Sequence, residues 1–254
     1  MKIIACCKIV PNEEEITVLP DRTLAMADAS LKISQYDLNA LESGKKLAAE
    51  SSGTMTALSI GSSAYLENSK IRKDILSRGA DELSLVMDDS HDFSDSLQTA
   101  KAIAGAVKAM DSYDVVLCGA GSSDLYLQEV GIQAGTLLGV PVVNNVTGIK
   151  IASDSSLEVE RTLEEEVEVL EVSLPAVLSV SSEINVPAVP SMREIMKAGK
   201  KPVNTLTIDA EITPSASTAE QLAPEQQERR QEIVEGDNEE AVDALVSFLK
   251  KEGF

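Results

Sequence analysis

Histidine and aromatic side chains are scarce in this sequence. Its 254 residues include one histidine, His91, no tryptophan and only 3% aromatic residues. A metal site built from several histidines is therefore excluded, and a histidine-based catalytic triad would depend on His91 alone. So few aromatic rings also argue against a base-stacking platform for nucleic acids. His91 stands in a polar stretch, where we expect a solvated loop residue.

Basic residues are also few. Lys and Arg total 22 against 42 Asp and Glu, which gives a formal net charge of −20. This sign opposes a general affinity for phosphate backbones and anionic membrane surfaces, so we expect no nucleic acid binding and no stable membrane insertion. The apolar runs are too short to span a bilayer, and the first residues lack a tripartite signal pattern. We expect a cytoplasmic protein.

The three cysteines do not form a ligand or disulfide pattern. Cys6 and Cys7 are adjacent, Cys118 stands alone, and there is no C-x-x-C pair. This spacing is typical of neither a zinc site nor a disulfide framework. We expect all three to be reduced, buried small residues.

Apolar runs of strand length alternate with helix-length segments in the first part of the chain. This alternation, with continuous apolar strands, predicts an α/β fold with a doubly wound, mostly parallel sheet covered by helices on both faces. The predicted strands cover residues 3–10, 55–60, 83–87, 115–119 and 142–146, and the predicted helices cover residues 36–50, 64–77, 95–110 and 124–138.

The pattern changes near residue 147. From there, β-type runs follow one another without helices, and in part of them acidic and apolar residues alternate. This predicts an antiparallel section over about 147–182, with one wet face, added to the parallel core. Its strands are predicted at residues 149–152, 157–162, 167–173 and 177–181.

The last part of the chain contains a short basic helix, an arm and a second helix. Prolines bracket the basic helix, at about 190–201. The polar composition of residues 211–230 predicts a linker or arm, and residues 238–251 have apolar positions at helical spacing. We therefore divide the chain into an α/β domain over 1–210 and an arm with its helix over 211–254. We expect the arm to pack on a surface, which belongs either to this chain's own sheet or to a partner subunit.

The strongest local signal for a binding site is the segment 113–124, where an apolar strand leads through a Gly/Ser loop into a predicted helix. Free N–H groups and the positive end of a helix dipole favour phosphate there. Gly131 and Gly135 lie one turn apart and indicate a close neighbour on one helix face. The alternative is tight packing of this helix on the sheet, with Ser123 or Asp124 as a plain N-cap.

No phosphate-binding motif follows the first predicted strand. Both the G-x-G-x-x-G pattern and the Walker loop are absent there, so an ordinary dinucleotide site is not supported. Ligands of parallel α/β sheets nonetheless bind at the carboxyl edge of the strands. Any nucleotide should lie at that edge.

Several stretches carry a family pattern. They are K-I-I-A-C-C-K-I-V-P at 2–11, K-I-S-Q-Y-D-L-N-A-L-E at 32–42, R-K-D-I-L-S-R-G-A-D at 72–81, and the segments 119–131, 159–178 and 189–203. Together they resemble electron transfer flavoprotein beta subunits, most closely the Fix-type branch found beside carnitine and fatty-acid oxidation systems. The resemblance implies a fold like that of adenine-nucleotide alpha hydrolases. It also implies an adenine-nucleotide site, which holds AMP in simple members and a second FAD in electron-bifurcating members.

Position by position, the resemblance implies a set of cofactor-binding residues. Cys6 would lie by the adenine through its backbone, residues 34–37 would form a second wall and Ile60 a third, and the loop 119–130 would hold the phosphates. Many relatives read Gly-Arg/Lys-Gln-Ala-Ile-Asp in this loop, where this chain has Gly-Ala-Gly-Ser-Ser-Asp. The full set is Cys6, Ser34, Gln35, Tyr36, Asp37, Ile60, Gly119, Ala120, Gly121, Ser122, Ser123, Asp124, Gln128, Val130 and Gly131.

The resemblance also implies a partner-recognition segment with an exposed apolar anchor. Met192 occupies the matching position, just ahead of Ile195 and Met196. An unbranched thioether suits an adaptable docking contact. The alternative is that Met192 belongs to the core of a short helix.

The implied function is that of an electron-carrier subunit rather than an enzyme. The chain is expected to form a heterodimer with an electron transfer flavoprotein alpha subunit, with the arm on that partner. It would exchange electrons with an acyl-CoA dehydrogenase-type or quinone-oxidoreductase-type protein. The Fix-type likeness favours FAD over AMP in this subunit.

Two other functions on a similar fold stay open, an adenine-nucleotide hydrolase and an adenosine-binding sensor module. The hydrolase requires a phosphate loop and metal-binding acids after the first strand, which residues 6–9 do not supply. The sensor requires neither the antiparallel section nor the arm.

Overall fold

The computed structural model describes residues 1–90, 93–208, 213–225 and 233–253. Two sequence predictions fall at least partly outside these ranges: the loop position of His91, and the arm at residues 211–212 and 226–232. Of the helices described, none has the length and apolarity that crossing a bilayer requires.

The helices and strands alternate through most of the described chain. The helices are α1 (Gln35–Glu50), α2 (Ser63–Leu66), α3 (Ser69–Ser77), α4 (Ser96–Ala109), α5 (Val130–Leu138), α6 (Met192–Ala198) and α7 (Glu239–Lys251). The strands are β1 (Lys2–Cys6), β2 (Ile9–Pro11), β3 (Thr17–Val18), β4 (Leu24–Ala25), β5 (Leu31–Ile33), β6 (Thr54–Gly61), β7 (Glu82–Met87), β8 (Val115–Gly119), β9 (Val142–Ser153), β10 (Ser156–Thr162), β11 (Val167–Ser173), β12 (Ala176–Val180) and β13 (Val203–Thr205).

A nine-stranded sheet organises the fold, in the order β11-β10-β9-β12-β8-β1-β6-β7-β13. From β9 to β13 in this order, every strand is parallel to its neighbours. The strands β10 and β11 continue the sheet in antiparallel fashion beyond β9. The predicted α/β class, with a mostly parallel sheet and an antiparallel section, is therefore confirmed.

Helices cover the sheet on both faces because side chains along each parallel strand alternate between two cores. On β1, Ile3 and Ala5 join a core that includes residues of α1, α3 and α6. Ile4 and Cys6 face the opposite core, which includes residues of α4 and α5. This is the predicted doubly wound arrangement.

The predictions for the strands after residue 140 need two corrections. Residues 142–146 and 149–152 belong to the single strand β9, which is parallel to β12 at one end and antiparallel to β10 at the other. The run at 177–181 was predicted as an antiparallel strand with a wet face, which is wrong. As β12 it lies between β8 and β9, parallel to both, with all five residues buried. A strand buried on both faces has no polar alternation to reveal its neighbours.

Two predicted elements before residue 80 are interrupted. The first predicted strand ends as β1 at Cys6, and its continuation, β2, pairs with β5 instead. The helix predicted over 64–77 is two helices, α2 and α3. Asn68 separates them because its side chain accepts hydrogen bonds from the N–H groups of Lys70 (3.0 Å) and Ile71 (3.3 Å), which is the geometry of an N-cap.

The described part of the arm contacts this same chain around the start of α4 and at Arg22. Asp95, the N-cap of α4, accepts hydrogen bonds from the N–H groups of Ser215 (2.7 Å) and Ala216 (3.0 Å). Farther along, Arg22 forms an ion pair with Glu225 (2.9 Å). Burial alone would raise the pKa of Asp95, but hydrogen bonds led by those from Ser215 keep it well below its ordinary value.

The helix α7 follows the arm and buries none of its residues against this chain. Its length agrees with the helix predicted over 238–251, and the side chain of Asn238 accepts a hydrogen bond from the N–H of Ala241 as its N-cap. Five large apolar residues of α7 are exposed: Val242, Leu245, Val246, Phe248 and Leu249. An apolar stripe of this kind needs a surface to cover it.

Replacing Gly135 by Ala is expected to destabilise the fold by about 1–3 kcal/mol, because overpacking a close contact forces strain. A Cβ atom at Gly135 would overlap Cγ2 of Val142 and lie 3.1 Å from Cβ of Val177. The free energy of unfolding in urea measures the effect. The control is Gly199→Ala, where the nearest atom would be 3.7 Å away. Equal stability of the two variants would contradict this packing of α5 on the sheet.

Candidate functional site

A cavity lies at the carboxyl ends of β1, β6 and β8. The strand order reverses between β1 and β8. After β1 the chain adds β6 and β7 on one side of β1, whereas after β8 it adds β9 to β12 on the other side. Such switch points are where open α/β sheets bind ligands. The lining residues are Cys6, Cys7, Lys8, Asp37, Leu58, Ile60, Phe93, Ser94, Ser96, Thr99, Ile103, Cys118, Gly119, Ala120, Gly121, Ser122, Leu125, Leu127, Gln128, Glu129 and Val130.

The cofactor-binding residues expected from the sequence divide into two groups around this cavity. One group lines it: Cys6, Asp37, Ile60, Gly119, Ala120, Gly121, Ser122, Gln128 and Val130. The other group is absent from the lining: Ser34, Gln35, Tyr36, Ser123, Asp124 and Gly131. Their roles in binding stay predictions.

Asp37 joins the two strand ends that flank the switch point. Its buried carboxylate accepts a hydrogen bond from the N–H of Lys8 through Oδ2 (2.7 Å) and from the N–H of Gly119 through Oδ1 (3.1 Å). Burial raises the pKa of Asp37 to about 7, although these two hydrogen bonds act in the opposite direction. The carboxylate thus fixes the positions of β1 and β8 relative to α1.

Gly119 has no room for a side chain. A Cβ atom there would lie 2.6 Å from Oδ1 of Asp37 and 2.7 Å from Cβ of Tyr36. The start of α1 therefore packs directly on the end of β8. Only glycine permits this approach.

Ser34 supports the cavity wall from behind rather than forming part of it. It is fully buried. Its N–H donates to the carbonyl oxygen of Lys8 (2.9 Å), and its Oγ accepts from the N–H of Ser123 (3.2 Å). The segment 34–37 thus holds together the loops after β1 and β8.

The helix predicted over 124–138 begins only at Val130, so neither Ser123 nor Asp124 is its N-cap; that position belongs to Glu129. Tyr126 (φ 50°) and Gln128 (φ 62°) are in the left-handed region, which interrupts a right-handed helix. This break could not be predicted from the sequence because the run has no proline or glycine between 122 and 130. The N-terminus of α5 still reaches the cavity, since Val130 lines it.

Gly131 and Gly135 face the sheet, so the close neighbour indicated by the sequence is β-strand. A Cβ atom at Gly131 would lie 3.3 Å from Cβ of Ser179, and Gly135 meets β9 and β12 as described above. The structure therefore agrees with the alternative explanation of these glycines, which is tight packing of the helix on the sheet.

Lys8 is a functional candidate that sequence reasoning missed. Its Nζ lies 2.6 Å from Oδ2 of Asp124, and the two side chains are 28% and 32% exposed. Burial raises the pKa of Asp124, but hydrogen bonds from Lys8 and Ser122 bring it below its ordinary value. The available signal was the position of Lys8 directly after β1, at the edge where ligands of such sheets bind.

The wall opposite β1 was also missed. It comes from Phe93, just before α4, and from Ser96 and Ile103 of α4. The hydroxyl of Ser96 donates to Oε2 of Glu129 (2.7 Å), which joins this wall to the start of α5. The place of α4 after a central parallel strand could have indicated it.

The cysteines at the base of the cavity are free and buried, as predicted. A hydrogen bond with Cys118, followed by burial, raises the pKa of the Cys6 thiol. Burial raises the pKa of Cys7 as well. The thiols of Cys6 and Cys7 are therefore protonated at neutral pH, the form that is a poor nucleophile.

The variant Asp37→Asn is expected to lose more stability, relative to wild type, at pH 5 than at pH 8. The pKa of Asp37 is raised from 3.8 to about 7 in the folded protein. The stability that this carboxyl contributes is therefore fully present below the unfolded-state pKa and is lost as pH rises through about 7. Asparagine does not titrate, so the difference in free energy of unfolding should shrink over this interval.

Urea unfolding of both proteins at both pH values measures this difference. Asp114→Asn is the matched control, because the Asp114 carboxylate also accepts a backbone N–H, from Lys2 (2.7 Å). A difference that widens from pH 5 to pH 8 would contradict the raised pKa of Asp37.

The cavity and its surroundings fall almost entirely within the region that matches a known family. The family model described as electron transfer flavoprotein domain matches residues 22–211, which is well over half of the chain. The match includes α1, β8, the loop after β8 and α6, and it starts after β1 and Lys8. On this evidence the chain belongs to the electron transfer flavoprotein domain family.

Proposed function

We propose that this chain is the beta-type subunit of an electron transfer flavoprotein and that the cavity at the switch point binds an adenine-containing cofactor. The observation that carries the proposal is the convergence at one cavity of residues far apart in sequence. Cys6, Asp37, Ile60 and part of the loop after β8 line it; the family resemblance had selected all of them, and the sequence pattern had selected the loop independently. The chain would act as an electron carrier, without acid or base catalysis of its own.

The chemistry of the cavity fits an adenine nucleotide. Apolar side chains such as Leu58, Ile60 and Ile103 line one part of it and suit a flat ring. Toward the loop after β8, the lining residues Ala120, Gly121 and Ser122 are small, which allows a phosphate to approach the backbone closely. The hydroxyl of Ser123 is buried there and has no hydrogen-bond partner among the described residues.

FAD is the favoured cofactor, with AMP as the alternative. The residues Ala120, Gly121 and Ser122 are small, and Leu125 and Leu127 provide further apolar lining beyond them. This arrangement leaves room for a second phosphate and suits an additional ring. When bound, the flavin would supply the redox chemistry, and the residues of this chain would bind and orient it. The Fix-type resemblance supports a role in electron bifurcation.

Association with an alpha-type subunit is supported by α7. Its five exposed apolar side chains have no cover within the described chain, and burying one such side chain contributes about 1.5–3 kcal/mol. The arm before α7 is attached to this chain through Asp95 and Arg22. We infer that α7 packs on the alpha-type subunit.

A second surface, around α6, suits a redox partner of the acyl-CoA dehydrogenase or quinone-oxidoreductase type. Met192 is 72% exposed and Met196 71% exposed, so the alternative that Met192 is a core residue is excluded within this chain. Ser191 and Glu194 form a capping box that fixes the start of α6, while Ala198 is the residue that α6 buries. Met192 and Met196 are therefore exposed on a helix that is fixed by its capping box and by the burial of Ala198.

Co-expression with an alpha-type subunit tests the proposed function. We expect a heterodimer that carries two FAD per dimer, measured by acid release and chromatography. One FAD with one AMP would support a simple carrier and contradict the assignment to the bifurcating branch. A stable monomer without flavin in either subunit would contradict the function and favour the hydrolase or sensor.

The role of α7 is tested in the same experiment. Leu245→Asp should reduce the yield of heterodimer, because it places a charge in the apolar stripe. Ser247→Asp, in the same helix but outside the stripe, should leave the yield unchanged.

Replacing Met192 by Ala is expected to slow electron transfer to the redox partner several-fold, since anchors of this kind contribute about 1 kcal/mol or more to docking. Cofactor content and unfolding free energy should stay at the wild-type values. Stopped-flow measurement of flavin reduction at varied partner concentration gives the rate. Arg193→Ala serves as the control on the same helix. An unchanged rate for Met192→Ala would remove this residue from the docking surface.

A further inference from the structure

The cavity contains little positive charge for a site that would receive an anionic ligand. The chain has a formal net charge of −20, so its overall field repels phosphate. Among the described residues that line the cavity, Asp37 and Glu129 are acidic and Lys8 alone is basic. A nucleotide phosphate therefore has one local counter-charge available from the side chains of the cavity.

Lys8 is held in place by contacts on both sides of the cavity mouth. Its backbone N–H donates to Asp37 (2.7 Å), and its carbonyl oxygen accepts from the N–H of Ser34 (2.9 Å). Its ammonium donates to Asp124 (2.6 Å), which belongs to the loop that follows β8. The backbone of Lys8 is thus fixed by α1, and its charge is directed toward this loop.

An ammonium group carries three N–H donors, and Asp124 uses one of them. The Lys8 side chain is 28% exposed, so the other donors are within reach of a ligand. Ser122, which also lines the cavity, belongs to the same loop as Asp124. The hydroxyl of Ser122 already donates to Asp124, so a phosphate placed between Lys8 and Ser122 would be bound chiefly by the Lys8 ammonium.

The two ends of the cavity differ in charge. Glu129 and Ser96 are hydrogen-bonded to each other at the end near α4 and α5, where the carboxylate of Glu129 repels phosphate. At the other end the Lys8 ammonium balances the Asp124 carboxylate beside it, so this end repels phosphate less than the Glu129 end does. This asymmetry favours one orientation of a nucleotide, with its phosphate toward Lys8.

We propose that the Lys8 ammonium binds the phosphate group nearest the adenosine of the bound nucleotide and that Asp124 positions the ammonium for this contact. The inference rests on the proposed nucleotide site and adds a residue that neither the family match nor the sequence resemblance selects. Asp124 then acts through Lys8 rather than by touching the phosphate.

The test compares two ligands that differ only in phosphate. The full-length subunit, freed of bound nucleotide, is titrated with adenosine and with AMP in a calorimeter. Lys8→Met keeps the length of the side chain and removes its charge, and it should weaken AMP binding about tenfold or more, the usual effect of losing a charged hydrogen bond. Adenosine binding should change less than about twofold, since adenosine carries no charge for Lys8 to bind.

Two further variants are matched controls. Lys8→Arg keeps the positive charge and should retain most of the AMP affinity. Lys32→Met removes a lysine that pairs with Glu13 outside the cavity, and it should alter neither affinity. Circular dichroism and urea unfolding check that each variant folds.

The outcomes separate this inference from the proposed function. Equal losses for adenosine and AMP in Lys8→Met would overturn the phosphate contact and leave Lys8 as a support for the loop. Wild-type affinity for AMP in Lys8→Met would also overturn it, with the nucleotide site intact. Wild-type protein that binds neither ligand would overturn the nucleotide site itself, and the role of Lys8 with it.

Discussion

The carboxylate of Asp37 is the interaction on which the geometry of the cavity depends. It is buried at the start of α1 and accepts N–H groups from the ends of both β1 and β8. A carboxylate in this position satisfies two backbone donors that would otherwise be buried without partners. It also explains why Gly119 is required, since any side chain there would displace the carboxylate. The start of α1 therefore covers the ends of β1 and β8 on one face of the sheet, and the other face is open to a ligand there.

Much of the fold could be predicted from the sequence because its periodicities are strong. The parallel strands are continuous apolar runs, and α1 and α4 begin and end within about a residue of their predicted bounds. The failures have physical causes. Full burial of β12 removed the alternation that would have indicated its place in the sheet. The left-handed conformations of Tyr126 and Gln128 prevent a helix from forming before Val130. No proline or glycine marks this break in the sequence.

The candidate site was predicted less completely than the fold. The loops at the carboxyl edge follow from strand order, and family resemblance selected Cys6, Asp37 and Ile60. The sequence does not tell which side of a loop faces a cavity, and Ser34 and Tyr36, which were expected in a wall, are absent from the cavity lining. Contacts that join distant segments were equally inaccessible, as with the pairing of Lys8 and Asp124.

The attachment of the arm at Arg22 sets a limit on where α7 can dock. Glu225 is paired with Arg22, and the N–H of Ala223 donates to the carbonyl oxygen of that arginine (2.9 Å). From Glu225 to Glu239, where α7 begins, a fully extended chain reaches at most about 50 Å. The surface of another subunit on which α7 docks must therefore lie within about 50 Å of Glu225. Within that distance, the tether raises the effective concentration of α7, so once two subunits touch elsewhere, docking of this helix becomes an intramolecular step.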